Sequence, residues 1–404
     1  MKIIERKTYL EHIIKHLNRG MMIFLVGQRR VGKSFLLRQM CKWLEEHKPG
    51  ATIVYINKEL NEFANMTDSG QLYDYVSTKF AAGKENYLLI DEVQDIDAYE
   101  NALRSLHTED RCQIIATGSN AYIFSSELST RLGGRYIEIP VYGLSYLEFL
   151  EFHGLPDSNE SLNDYLRVGG LPGLRNYDID DEIQIRDYLQ GVYNTIMMRD
   201  VIARGNIRNV PFMENLSRFI ADNIGKLIST SSIVKFMRSQ GETVSDASTS
   251  SYINHLCKAL IIIPVARYDI HGKKLFELIY KYYFSDHGLR NYLCKFKLRS
   301  SIEKVMENVV YLHLLMQGYE VNVGVLRVGA VDFVATKGDK TIYVQVTYLL
   351  ASEDTIDREF GNLAAIRDNY PKYVVSMDPI GGEVEGYPGI THLRLREFLK
   401  TKTL

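Results

Sequence analysis

The sequence predicts an α/β protein: a parallel sheet with helices on both faces, then a helical and winged-helix region, then a smaller α/β region. Three observations predict it. Residues 1–142 alternate short β-rich runs with helix-length segments, the pattern of a parallel sheet. Residues 143–300 turn mainly helical and close on an alternating, hairpin-like run. Residues 301–404 return to a helix followed by strands. With 404 residues, 46% of them hydrophobic and 24% charged, the chain can bury a core in each part.

The elements follow in order. Met21–Val26 is a continuous apolar run ending at Gly27, the mark of a strand buried on both faces. Ser34–Glu46 has helical period. Thr52–Asn57, Tyr87–Ile90, Cys112–Thr117 and Arg135–Ile139 are short, turn-bounded strands. After Pro140, Ser145 and Glu148 form a capping box opening a helix over Tyr146–Phe152, and Gly169–Gly173 breaks the helical pattern. Ser229–Ser239 and Asp246–Leu260 are helices joined by a turn at Gly241. Pro264–Phe284 reads as a hairpin turning at His271-Gly272, and two helices before a hairpin is a winged-helix layout. Ile302–Gln317 is an amphipathic helix, and Val331–Ala335 and Thr341–Val346 are strands joined at Lys337-Gly338-Asp339.

The chemistry is concentrated between the first strand and the first long helix. Gly27-Gln28-Arg29-Arg30-Val31-Gly32-Lys33-Ser34 satisfies G-x-x-x-x-G-K-[ST] in strand–loop–helix context. Its glycines let backbone N–H groups and the helix N-terminus wrap a phosphate. Lys33 brings a charge to the β- and γ-phosphates of ATP, and the Ser34 hydroxyl is a ligand for Mg²⁺. Arg29 and Arg30 are placed for further phosphate contacts or for structural ion pairs.

Tyr87–Ile90 ends in Asp91-Glu92. An acid at that point anchors Mg²⁺, and an adjacent Glu polarises the attacking water, so Asp91 is assigned to the metal and Glu92 to the water. The strand Thr52–Asn57 intervening in sequence, together with Glu92, points to the AAA+/ASCE branch of P-loop NTPases. Thr117, Ser119 and Asn120 end the next strand, and each is suited to sensing the γ-phosphate. Arg131 and Arg135 are the candidates for an arginine that steadies the transition state, in cis or from a second copy in a homo-oligomer.

These motifs, with Leu89–Gln94, Ala116–Asn120, Leu132–Arg135, Tyr142–Phe149, Gly169–Pro172, Tyr343–Tyr348 and Asp368–Lys372, resemble a family of bacterial and archaeal AAA+-type ATPases over nearly the whole chain. The resemblance implies an ATPase domain, a winged-helix-like middle and a C-terminal domain of restriction-endonuclease-like fold. A nuclease of that fold needs an Asp on one strand and Glu-x-Lys or Gln-x-Lys on the next. Here Glu307 lies on the preceding helix, Asp332 on the first strand, and Gln345 and Thr347 on the second. With a neutral Gln345 and Thr347 at the lysine position, the block is expected to be a degenerate nuclease-like domain. Lys372 is the one downstream lysine considered as a substitute.

The net charge is only −2, yet residues 199–299 hold sixteen Lys and Arg against eight Asp and Glu. That local excess suits double-stranded DNA, while a winged helix also serves as a protein-docking surface. On Asp246–Leu260, Ser248, Thr249, Ser251, Asn254, His255 and Lys258 are expected to be exposed, with Lys273 and Lys274 on the wing. No apolar run reaches the ~20 residues of a membrane span. Four scattered cysteines and the absence of a secretory leader pattern point to the cytoplasm. The reading is an ATP-hydrolysing switch coupled to a DNA- or protein-binding C-terminal half. An ATP-gated nuclease and a scaffold that hydrolyses little are the alternatives.

Overall fold

The computed structural model describes residues 4–121, 130–379 and 381–403. The chain divides into two compact units, Met1–Tyr142 with Lys258–Leu260, and Gly143–Cys257 with Ile261–Leu404.

In the first unit the strands are β1 (Met22–Val26), β2 (Thr52–Asn57), β3 (Asn86–Asp91), β4 (Gln113–Gly118) and β5 (Tyr136–Pro140). They pair in parallel in the order β2-β3-β4-β1-β5. All five residues of β1 are buried, which is why the run Met-Ile-Phe-Leu-Val shows no polar alternation. In space it is β4 that separates β1 from β3, whereas β2, which separates them in sequence, lies at the sheet edge. The C-terminal ends of β1, β3 and β4 therefore lie side by side, at the edge where ligands bind in open α/β sheets. Leu88, Ile90, Leu103 and Phe24 share one core with residues of the flanking helices.

The second unit begins with the expected capping box: Ser145 accepts from the Glu148 amide and Glu148 accepts from the Ser145 amide at the head of the helix Tyr146–His153. The break at Gly169-Gly170 has a packing reason. Gly169 sits at φ 90°, and a Cβ there would lie 2.6 Å from both Asp286 Oδ1 and the Gly288 amide nitrogen. Two helices, Thr230–Ser239 and Asp246–Lys258, precede the hairpin β6 (Ile262–Asp269) and β7 (Lys274–Phe284). The second helix stops two residues short of the expected Leu260, which takes a left-handed φ of 54°.

The hairpin does not stand alone. β6 pairs in parallel with β8 (Glu320–Val325), and the sheet continues through β9 (Ala330–Lys337), β10 (Lys340–Val346), β11 (Lys372–Ser376), β12 (Gly382–Glu383) and β13 (Ile390–Arg394). The order is β12-β13-β11-β10-β9-β8-β6-β7. The helix Ile302–Met316 buries Val305 through Leu314 without interruption, so it is a core helix with little polar face.

Candidate functional site

The phosphate loop is shaped by three backbone constraints. A Cβ at Gly27 would lie 2.1 Å from the Val141 carbonyl oxygen, Gly32 has φ 101°, and Arg30 is held left-handed at φ 69°. Gly27→Ala should therefore displace the loop and weaken Mg-ATP binding at least tenfold, read by calorimetry; unchanged affinity would contradict this account of the loop.

The helix Lys33–His47 starts at Gly32 with no side-chain cap, leaving its first-turn amides to the loop. Lys33 Nζ donates to the carbonyls of Gly27 (2.8 Å) and Gln28 (3.0 Å), so the ammonium lies folded over the loop. Arg6 braces the outside, donating to the carbonyls of Val31 (3.1 Å) and Tyr142 (2.9 Å). Gln28 is buried with neither amide atom partnered among the described residues.

Beside the loop, Thr117 joins the two acids. Its hydroxyl donates to Asp91 Oδ1 at 2.6 Å and accepts from the Glu92 amide at 2.9 Å. Burial pushes the Asp91 carboxyl up, while the Thr117 and Ser34 hydroxyls and Lys33 oppose it. Asp91 Oδ2 is buried without a hydrogen-bond partner among the described residues. An orphaned carboxylate oxygen near a serine hydroxyl fits Mg²⁺. Asp91 and Ser34 are the residues that would hold it.

Glu92 occupies a strained position, at φ 56°. Its Oε2 accepts from the Ser119 hydroxyl (2.9 Å) and from the Gln94 amide, and Arg29 Nη1 lies 3.6 Å away. Burial pushes its carboxyl up, but Lys33, Arg29, Ser119 and Gln94 together outweigh that and hold it below the usual glutamate range. Glu92 is therefore ionised, the state a proton acceptor needs.

Arg29 is thus tied to Glu92 and, at 3.8 Å, to Glu59; Arg30 is exposed. Asn120 is half-buried at the end of the same segment as Ser119. Arg131 ion-pairs with Glu100 at 3.4 Å and Arg135 donates to Thr108 at 3.0 Å, both on the helix Tyr99–Thr108. Arg29 takes the ion-pair alternative, whereas Arg6 and the Glu92 contact of Gln94 are additions that the structure makes. Gln94 stood two residues from the acid pair and was the one legible signal.

In the second unit, Glu307, Asp332 and Gln345 come together. Gln345 Oε1 accepts from the Asp332 amide (3.1 Å), and Gln345 Nε2 donates to Glu359 (2.7 Å). Thr347 is buried, with its amide on the Val375 carbonyl. The ammonium of the cluster comes from an unexpected direction. Lys372 bonds Asp368, whereas Lys281 on β7 donates to Glu307 (2.7 Å) and Asp332 (2.9 Å). Burial opposes the charged Lys281, but Asp332 and Glu307 outweigh it and raise its pKa. Both carboxylates that would bind a divalent ion already hold this ammonium, and Gln345 is neutral. The residues present do not fit a metal centre.

On the helix Asp246–Lys258, Ser248, Ser251, Asn254 and Lys258 are exposed and His255 is half-buried. Thr249 departs from expectation. It is fully buried, its hydroxyl donating to the Ser245 carbonyl at 2.9 Å, because it falls on the same face as Ile253 and Leu256. Lys273 and Lys274 are exposed at the hairpin turn.

Comparison with known proteins bears on the fold that carries these residues. The family model described as an AAA domain matches residues 19–150, and one described as a domain of unknown function matches residues 159–300. An uncharacterized protein of Haemophilus influenzae is 32% identical over 381 residues, 93% of each chain. An uncharacterized protein of Methanocaldococcus jannaschii is 24% identical over 88% of this chain and 85% of its own length. Among solved structures, a Walker-type ATPase of Pyrococcus abyssi aligns over 72% of this chain and 96% of its own, with a TM-score of 0.51 and 17% identity, a likeness of fold. The chain belongs to the family of the Haemophilus influenzae protein, and it carries the AAA domain and P-loop of an ATP-binding protein.

Proposed function

We propose that this chain is a Mg²⁺-dependent ATPase that acts as a nucleotide switch on a partner-binding C-terminal half. The observation that supports hydrolysis, over binding alone, is the position of Glu92, held at φ 56° with Ser119 and Gln94 donating to it, beside the Asp91–Thr117 pair and the Lys33 loop. Lys33 and the loop amides grip the phosphates, and Glu92 orients and deprotonates the attacking water. Thr117 and Ser119 register the loop's occupancy through their bonds to the two acids. Mg²⁺, when bound, neutralises the β- and γ-oxygens and would be held by Ser34 and Asp91. Arg131 and Arg135 stand as candidates for the γ-phosphate contact, from this chain or from a second copy.

Residues 199–300 are proposed as a winged-helix-like docking region for duplex DNA or protein, on the strength of their basic excess. The C-terminal sheet is proposed as a nuclease-like domain retained for binding. Its Glu307 and Asp332 carboxylates are both engaged by the Lys281 ammonium and Gln345 is neutral, which argues against a bound divalent ion and so against cleavage. The test is ATP turnover with and without duplex DNA. Turnover that depends on Lys33, rises with DNA and leaves the DNA intact in Mg²⁺ or Mn²⁺ is expected. Turnover no higher than that of Lys33→Ala would overturn the ATPase reading, and scission lost in Asp332→Ala would overturn the reading of the C-terminal sheet.

A further inference from the structure

A buried guanidinium that no carboxylate hydrogen-bonds among the described residues points to a ligand, and the second unit holds one. Arg290 is 1% exposed. Its Nε donates to the Ala221 carbonyl (2.9 Å) and its Nη1 to Ser301 Oγ (2.9 Å) and Asn291 Oδ1 (3.2 Å). All three acceptors are neutral, and Nη2 is buried with no hydrogen-bond partner among the described residues. A guanidinium left in that condition is destabilised unless an anion compensates it.

Arg290 lines a cavity of about 840 Å³ formed by the helices Val210–Asp222, Thr230–Ser239 and His287–Leu293 and the segment that follows them. Arg218, Lys295, Lys297 and Lys304 line it too, so five cations share the lining with two carboxylates, Asp222 and Glu242, while Arg218 also pairs with Glu214 at 3.5 Å. Glu242 accepts from Asn215, and Lys304 donates to the Asp222 carbonyl. Burial lowers the Arg290 pKa, with Cys294 and Asp222 opposing it, so the guanidinium favours a further negative neighbour. The lining also includes the ring pair Phe219–Phe236, whose centroids are 4.7 Å apart, and Phe236 is 44% exposed. Cationic groups beside an open aromatic face are what a phosphate joined to a planar base requires.

We infer that this cavity binds a nucleotide unit, with the phosphate towards Arg290 and its neighbouring lysines and the base against Phe236. The unit is either a free mononucleotide or part of a single-stranded nucleic acid. This goes beyond the duplex contact proposed above and requires no ATP hydrolysis.

The test uses full-length Lys33→Ala protein, so that the P-loop takes no nucleotide. A fluorescein-labelled single-stranded oligonucleotide is titrated by anisotropy, with AMP and inorganic phosphate as competitors. Lys295→Gln with Lys297→Gln, both at exposed positions, should weaken oligonucleotide binding at least tenfold. The same pair should flatten the slope of log K against log salt by about 1.4, for two lost phosphate contacts on a single strand. Phe236→Ala should weaken binding about tenfold. In the wild-type background these variants should leave DNA-free ATP turnover unchanged, which separates this site from the P-loop reading. Competition by AMP would identify a mononucleotide pocket, and competition by neither small anion a strand site. Equal affinity and salt slope in wild type and the double variant would overturn the inference, as would absence of binding by all three probes.

Discussion

Replacing Glu92 with Gln should cut ATP turnover by about 10²–10³-fold while leaving Mg-ATP binding intact. Burial raises its pKa, but Lys33, Arg29, Ser119 and Gln94 outweigh that and hold it below the usual glutamate range. Glutamine keeps the size and can still accept from Ser119 and Gln94, so the fold and the loop should persist. What is lost is the group that takes the proton from water. Single-turnover chemical quench, with nucleotide binding measured in parallel, checks both halves. Turnover within a few-fold of wild type would remove Glu92 from the mechanism.

The second large effect is on stability. Lys281→Met removes the ammonium shared by Glu307 and Asp332 and leaves two nearly buried carboxylates side by side. Breaking such a pair from one side costs about 3–5 kcal/mol, read as a lowered urea midpoint. Burial already pushes the Glu307 carboxyl up to about 7, against the pull of Lys281. Losing the ammonium raises it further. An acid whose folded pKa exceeds its unfolded value binds more protons when folded, so its contribution is present below pH 4.5 and fades as pH rises through 7. The Lys281→Met deficit should accordingly be larger at pH 8 than at pH 5. Adding Glu307→Gln and Asp332→Asn should recover part of it, because no unpaired charge then remains. A deficit below about 1 kcal/mol that is flat with pH would contradict this account.

What the sequence made legible was the chemistry written in contiguous residues. The phosphate loop needs Gly27, Gly32, Lys33 and Ser34 within eight positions, and Asp91-Glu92 simply ends a strand. The structure brings those strand tips together as the parallel pattern implied. Long-range partnerships were not legible, because nothing local marks them. Arg6 reaches residues 31 and 142, Arg29 reaches Glu92, and Lys281 reaches a cluster whose lysine position in sequence is Thr347. The alternation of residues 264–284 suits a wing, and that same alternation permits β6 to pair with β8. Polarity alone puts Thr249 outside, whereas its register with Ile253 puts it on the buried face.

One titration bears on the central claim most directly: full-length chain with Mg-ATP in a calorimeter, beside Lys33→Ala. The account predicts saturable heat at one site per chain, dependent on Mg²⁺ and absent in Lys33→Ala. Heat no greater than dilution into buffer, or the same isotherm from both proteins, would contradict it.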